Sequence, residues 1–488
     1  MSGKLQVGII VTGFLVLAVG SGSPVVLAQV CGDEGADEQK ILSSDGEEDD
    51  ELGYNIDLGV DINGDGPLAL ISQARDDDQA EDAGAVFVYR FDGIEWVEDA
   101  KLTASDGGAL DFFGALVSIS GDAILIGAPE PPQGGPGTGK AYIFRFDGTE
   151  WFEEAALLAS DGGNGDTYGH ALDIQGNVAV VGSRKHDHLG NNAGAAYVYK
   201  FDGTEWNEEV ELLASDGDAG DWFGYSIAVS PGLIFVGAHK DENGGPDETG
   251  SVYVYRRDGT EWVEEAKLVP SDGQDGDEFG GDIASSGDVV VVGADQAEGL
   301  APVSGAAYVY RFDGSTWIEE AKLVASDGGT EGFYGDSVAI NGDVIVIGAY
   351  GISHDSGAAY VYRYDGTDWI EEIKLTASDF ANDDWFGMSV AIRSHTVMVS
   401  AQFDDNENGI NAGAVYVYTL CPDEEIPCEG DANGDGLVDP LDTGFVLARF
   451  GCDVGTGDPN CDSADMNGDG VVDPLDSGFV LDRFGECP

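Results

Sequence analysis

Asp431, Asn433, Asp435, Asp439 and Asp442 stand at positions 1, 3, 5, 9 and 12 of one short stretch, with Gly436 at position 6. The same spacing returns 34 residues later as Asp465, Asn467, Asp469, Asp473 and Asp476 around Gly470. A hard cation that takes about six to eight oxygens is served by this pattern, with Leu437 and Val471 lending backbone carbonyls at position 7 and the glycine making the sharp turn. Two calcium sites are therefore expected. Each empty loop would gather four carboxylates, whose repulsion the ion relieves, so binding and folding should be coupled. Aspartate rather than glutamate at position 12 shortens the last ligand and points to the weak, extracellular range of about 10⁻⁴ M or somewhat tighter. A third stretch, Asp61, Asn63 and Asp65 before Gly66, has Ala69 where a further acid is needed, and so offers at most a weak calcium site.

What must hold the two C-terminal loops is a pair of short helices, Leu441 to Phe450 and Leu475 to Phe484. Pro440 and Pro474 fall at their first turns, where proline is tolerated. A calcium loop followed by one helix, used twice, resembles a type I dockerin over residues 430–488, behind a linker at 422–429. The resemblance implies the calcium ligands named above and a cohesin-like protein partner. Dockerins grip cohesin with Ser/Thr pairs at loop positions 10 and 11. Here those positions are Pro440-Leu441 and Pro474-Leu475, a departure from standard cohesin recognition.

The larger part of the chain repeats itself. The central residue of a Tyr-Val-Tyr-like triplet falls at Val88, Ile143, Val198, Val254, Val309, Val361 and Val417, at intervals of 55, 55, 56, 55, 52 and 56. A near-constant period means one supersecondary unit stacked on itself. In the copy from Phe223 to Pro270, alternation over Gly224 to Ser230 is followed by the apolar run Leu233 to Val236. Alternation returns over Ser251 to Arg256, Asp258-Gly259 signals a hairpin, and Trp262 to Val269 makes a fourth strand. Four short antiparallel strands, seven times, describe an all-β, seven-bladed β-propeller over residues 29–421. A solenoid coil would need about half this period. The last copy stops after its third strand, Val415 to Tyr418, while an orphan fourth strand, Lys40-Ile41-Leu42, precedes the first. Closure of blade seven by that N-terminal strand would remove the last sheet edge.

These copies resemble the FG-GAP repeats of the integrin α-subunit propeller. The Phe-Gly element stands at Phe113-Gly114, Tyr168-Gly169, Phe223-Gly224, Phe279-Gly280, Tyr334-Gly335 and Phe386-Gly387, with Gly53-Tyr54 in the first copy. Gly127-Ala128-Pro129 is the one complete Gly-Ala-Pro. Integrin propellers hold calcium in some first-to-second strand hairpins; here only the Asp61 to Asp65 stretch has such a loop. Strand alternation puts the fourth-to-first and second-to-third connections on one face. The former carry Ser-Asp-Gly, expected as a turn device bonding nearby amides. The latter are long and variable, where recognition usually lives.

Lys4, an apolar run from Val7 to Val19, and Val26-Leu27-Ala28 read as a secretory signal peptide, residues 1–28. No other segment is apolar enough to span a membrane after its cleavage. The 93 acidic against 21 basic residues give a net charge of −72, which repels phosphate backbones and excludes nucleic acid as a partner. Six cysteines in an exported chain suggest disulfides. Closure would bring Cys31 and Cys421 to one end of blade seven, leaving Cys452–Cys461 and Cys428–Cys487 for the tail. No nucleophile elbow, phosphate loop or zinc spacing occurs. Of the scattered histidines, His186-Asp187-His188 could touch a metal, but a solvated loop is expected. The reading is a secreted or cell-surface, non-enzymatic, calcium-binding recognition or adhesion protein. The propeller would take an extracellular protein or glycan and the tail would attach it. The alternative is an accessory or catalytic component of an extracellular polysaccharide-degrading assembly, docked through the tail.

Overall fold

A computed structural model of the chain describes residues 38–60, 66–129, 138–243 and 248–421, with two short segments at 437–438 and 485–486. Seven four-stranded antiparallel sheets follow one another. Blade four is typical: Ile227–Ser230, Leu233–Ala238, Ser251–Asp258 and Glu261–Leu268 pair in order. Among the described residues the one helical element is a single turn, Ile352–Asp355, and no helix is long and apolar enough to cross a membrane.

The seventh sheet takes its fourth strand from the other end of the chain. Gln39–Ile41 lies antiparallel to the strand Ala414–Thr419, with Gln39 opposite Val417 and Ile41 opposite Val415, as the orphan strand predicted. First strands touch one another in turn around the ring, blade seven meeting blade one, so they line the axis. Each sheet is covered on both faces by its neighbours. The second strands are therefore almost wholly buried; Val289–Ala294 is buried at every position. The core is divided into seven clusters, each shared by two adjacent blades.

The repeated motifs are the joints between blades. The Phe-Gly aromatic meets the first tyrosine of its own blade's triplet edge to face, as in Phe223–Tyr253 at 5.4 Å and Phe386–Tyr416 at 5.5 Å, and packs with residues of the preceding blade in the cluster the two share. The glycine beside it has φ near +90° and lies against the Gly-Ala glycine of the preceding blade. A Cβ on Gly293 would stand 1.9 Å from the Gly335 carbonyl oxygen, so neither glycine tolerates a side chain. In the first copy Leu52 takes the place of the aromatic: Gly53 carries the φ of +90°, and Leu52 bridges Gly413 as Phe223 bridges Gly194. The element there is Leu52-Gly53 rather than Gly53-Tyr54.

Ser-Asp-Gly does more than turn the chain, contrary to the local role expected for it. Ser215 donates through both its amide and its hydroxyl to Glu264 of the following blade's fourth strand, at 3.1 and 2.7 Å. Asp216 accepts the Tyr253 hydroxyl at 2.7 Å and the Lys267 ammonium at 2.9 Å. At the closure Glu38, Lys40 and Tyr416 play the same parts: Ser378 donates to Glu38, and Asp379 accepts from Lys40 and Tyr416. The N-terminal segment thus replaces the strand and its side-chain clasp together. Cys31 lies outside the described residues, as do Asp61, Asn63 and Asp65.

Along the axis, carboxylates stitch first strands. Asp57 accepts the Ile119 amide at 2.8 Å, Asp173 the Val229 amide at 2.6 Å and Asp282 the Val338 amide at 2.8 Å, each from the next blade. Burial outweighs these bonds and pushes Asp57 up to about 7, and Asp173 and Asp282 up to about 6.

Two predictions follow from this geometry. Lys40 holds Asp404, whose side chain is buried, as well as Asp379. Lys40→Ala should cost about 2–4 kcal/mol, whereas Lys374→Ala, whose partner Asp327 is exposed, should cost about 1 kcal/mol or less. Denaturant midpoints check the contrast, and equal losses would contradict it. The axial carboxyls bind protons more tightly in the folded chain than in the unfolded one. Their contribution is therefore fully present below the ordinary carboxylate range and is lost as pH rises through about 6–7. Melting temperature should fall between about pH 5 and pH 8, and a rise across that window would refute the assignment.

Candidate functional site

Each blade breaks its regular backbone at the residue before the Phe-Gly aromatic or its Leu52 counterpart. Glu51, Phe112, Thr167, Trp222, Glu278, Phe333 and Trp385 all adopt left-handed backbone, with φ between 49° and 59°. For a residue with a Cβ this conformation costs about 1–2 kcal/mol, and here the packed aromatic and glycine on its C-terminal side impose it. Strain recurring at one place in every blade marks a candidate functional surface. It belongs to the face that carries the fourth-to-first and second-to-third connections. Lys267, ending a fourth strand, reaches Asp216 of the former and Asp241 of the latter, so those connections do share a face.

Side chains from this position meet those that follow the Gly-Ala element, around the mouth of the axis. Phe333 stacks on Tyr350 at 4.9 Å, Tyr350 on Trp385 at 4.9 Å, and Phe403 meets Trp385 edge-on at 4.6 Å. This four-ring ladder spans blades six and seven. Across blades three and four, the Arg184 guanidinium lies 5.2 Å from the Trp222 ring and 5.3 Å from that of Tyr225, and His239 packs against both rings. Tyr54 of blade one feels the charges of Arg184 and of Asp336 from blade six, so groups from well-separated blades converge here.

The electrostatics are mixed. Burial, with Asp295 and Asp282 alongside, holds Asp336 well above the usual carboxylate range, and Asp295 rises to about 6. Burial, helped by Lys240 and Arg184, pulls His239 down to about 3; burial also depresses His170. Both imidazoles are neutral at physiological pH. His170 Nδ1, His239 Nδ1, Arg184 Nε and Gln402 Oε1 are buried without a hydrogen-bond partner. Buried polar atoms normally find partners. Orphaned ones beside stacked aromatics suit a ligand with apolar faces and polar edges, such as a sugar ring or a protein side chain.

Of the residues singled out for metal, Asp431, Asn433, Asp435, Asp439, Asp442, Asp465, Asn467, Asp469, Val471, Asp473 and Asp476 lie outside the described residues. Leu437 is placed: Leu437–Val438 pairs antiparallel with Gly485–Glu486. The axial mouth escaped the sequence reading, which put recognition in the long connections of the same face. A signal was present: the residue before each Phe-Gly changes type freely, while an aspartate before it and an aromatic after it each recur in six of the seven copies. His186, expected in a solvated loop, is instead buried, 6% exposed, with Nδ1 2.9 Å from Asp166; His188 lies beside it, their rings 6.0 Å apart.

Comparison with known families accounts for most of the chain. The FG-GAP repeat matches seven times, over residues 36–89, 96–144, 151–199, 206–255, 262–310, 317–362 and 369–418. The dockerin type I domain matches residues 429–484. No curated protein matches the chain. Neither matched family is a catalytic one, and dockerins of this type bind calcium and cohesin partners. With its seven repeats folded as seven blades, the chain belongs to the FG-GAP repeat family and carries a type I dockerin domain behind its propeller.

Proposed function

We propose that this protein is an extracellular recognition or adhesion module, with the propeller's axial mouth binding a glycan or protein and the dockerin domain attaching it to a cohesin-bearing partner. The observation that carries the ligand reading is the ladder Phe333, Tyr350, Trp385 and Phe403. Stacked, half-buried aromatics give large contact area at low entropic cost and dominate binding energies where they occur. Asp336 and Asp295 opposite Arg184 supply both acceptors and a donor for hydroxyls. In the tail, calcium would be held by the Asp431 to Asp442 and Asp465 to Asp476 loops. Pro440-Leu441 and Pro474-Leu475 then give the docking surface an apolar character in place of the usual hydroxyls. The dockerin match also favours the second reading, a component of a polysaccharide-degrading assembly in which the propeller holds the substrate for a catalyst on a neighbouring subunit.

A glycan array and an envelope pull-down, each run with and without chelator, test the proposal. Chelation should release the tail's partner while leaving the propeller's ligand bound. Trp385→Ala should weaken that ligand by about 30-fold or more, a hot-spot loss, without lowering the melting temperature of the propeller by more than a few degrees. Ligand binding that survives Trp385→Ala and Tyr350→Ala together would remove the mouth from the account. Polysaccharide turnover by the pure protein would replace recognition with catalysis.

A further inference from the structure

In six of the seven blades the aspartate of Ser-Asp-Gly, or its Asp379 counterpart in Ser378-Asp379-Phe380, is held by a lysine: Lys101, Lys140, Lys267, Lys322, Lys374 and Lys40. Blade three breaks the rule. Five of these lysines stand next to the last leucine of the fourth strand, or its Ile41 neighbour at the closure, Lys267 before Leu268 for example; blade two has Ala156 there and supplies Lys140 from the start of its third strand, whereas blade three has Glu211 before Leu212 and no lysine at either place. Its aspartate, Asp161, therefore faces a second carboxylate instead of an ammonium.

Two histidines from the second-to-third connection complete the group. His186 Nε2 lies 3.7 Å from Asp161 Oδ2 and 3.5 Å from Glu211 Oε1. His188 Nδ1 lies 4.0 Å from Asp161 Oδ2 and 3.3 Å from Glu211 Oε1. All four donor atoms fall within 4.8 Å of one another. These spacings approach the edge, about 3.4 Å, of a tetrahedron whose centre stands about 2.0–2.1 Å from nitrogen and oxygen donors.

We propose that Asp161, His186, His188 and Glu211 form a binding site for a first-row transition-metal dication of the zinc class, in the place that lysine takes in the other blades.

Three further observations support it. His186 Nε2 and Glu211 Oε1 are buried and lack any hydrogen-bond partner, although the imidazole itself is almost wholly enclosed. The outer atoms are already committed. His186 Nδ1 bonds Asp166 at 2.9 Å, and Asp161 Oδ1 accepts the Tyr197 hydroxyl at 2.7 Å. A carboxylate behind a histidine fixes its tautomer with the free nitrogen lone pair aimed inward, the usual outer shell of a metal-bound imidazole. The third observation is the matching place in blade one. There Asp45, Asp76 and Asp78 also cluster, but the Lys101 ammonium sits 2.6–2.7 Å from all three. That position is built to hold positive charge, and blade three supplies none from its own side chains. Two imidazoles with two carboxylates suit zinc, cobalt or nickel rather than calcium, which takes oxygen ligands alone. The ion would pin the second-to-third connection of blade three to its own fourth strand and to the Ser-Asp-Gly loop.

The test uses the full chain with excess calcium to occupy the C-terminal loops, titrated with Zn²⁺ by calorimetry and with Co²⁺ by visible absorption. The parent should bind one equivalent more tightly than any residual binding, show the absorption of a tetrahedral nitrogen–oxygen site, and melt at higher temperature with Zn²⁺. Glu211→Lys restores the lysine that five other blades carry at this position, so it should fold as stably as the metal-free parent while losing that equivalent and the thermal shift. His188→Ala, at a half-exposed position, should weaken the site by more than about 100-fold, and Asp166→Asn, behind the ligand, by about 10–100-fold. Equal Zn²⁺ stoichiometry and equal thermal shifts in the parent, Glu211→Lys and His188→Ala would overturn the assignment. So would a parent that binds no Zn²⁺ under these conditions.

Discussion

The pairing of Gln39–Ile41 with Val415 to Val417 is the contact on which the rest of the molecule depends. A propeller has no single core: each of its seven clusters belongs to two blades. Each interface is stable only if both blades are present, and the ring supplies both to every interface only when it closes. Closure is therefore a topological constraint with an energetic consequence, because it turns six shared interfaces into seven and pairs the third strand of blade seven, which would otherwise present an open edge. The first residues of the domain bring the whole clasp with them, Glu38 for the serine and Lys40 for the aspartate.

The Phe-Gly and Gly-Ala glycines and the regular spacing of aromatics have one physical cause. Blades approach so closely that the Phe-Gly and Gly-Ala glycines touch main chain to main chain, and the space they leave is filled by the aromatic of the same motif. The acidic composition is likewise partly structural. Asp57, Asp173 and Asp282 join first strands, the Ser-Asp-Gly aspartates bind tyrosine and lysine, and glutamates such as Glu264 receive the serines. These carboxylates serve as joints between repeats, and the lysines they hold are parts of the same joints.

Blade number, strand order, the closing strand and the sharing of one face by two sets of connections were legible in the sequence, because each follows from a period or an alternation that recurs in register. What was not legible is tertiary. Ser-Asp-Gly reads as a turn until Glu264 and Tyr253, about fifty and forty residues away, are seen beside it. Gly53-Tyr54 suggested the wrong register for the first blade, since Leu52 lacks the aromatic ring that marks the position elsewhere. His186-Asp187-His188 looked like solvent-facing loop because Asp161 and Glu211 join it only through sheet pairing. In that case a departure from the repeat, Glu211 for lysine, was visible in the sequence and carried the information.

Native-state hydrogen exchange tests closure most directly. If the ring stands or falls as a unit, the amides pairing Gln39–Ile41 with Val415 to Val417 should open with the same free energy as those in the middle of blade four, Leu233–Ala238, and with the same denaturant dependence. Exchange of the closing strand through a low-energy local opening, while blade four stays protected, would show that the other blades hold without it and would contradict the account.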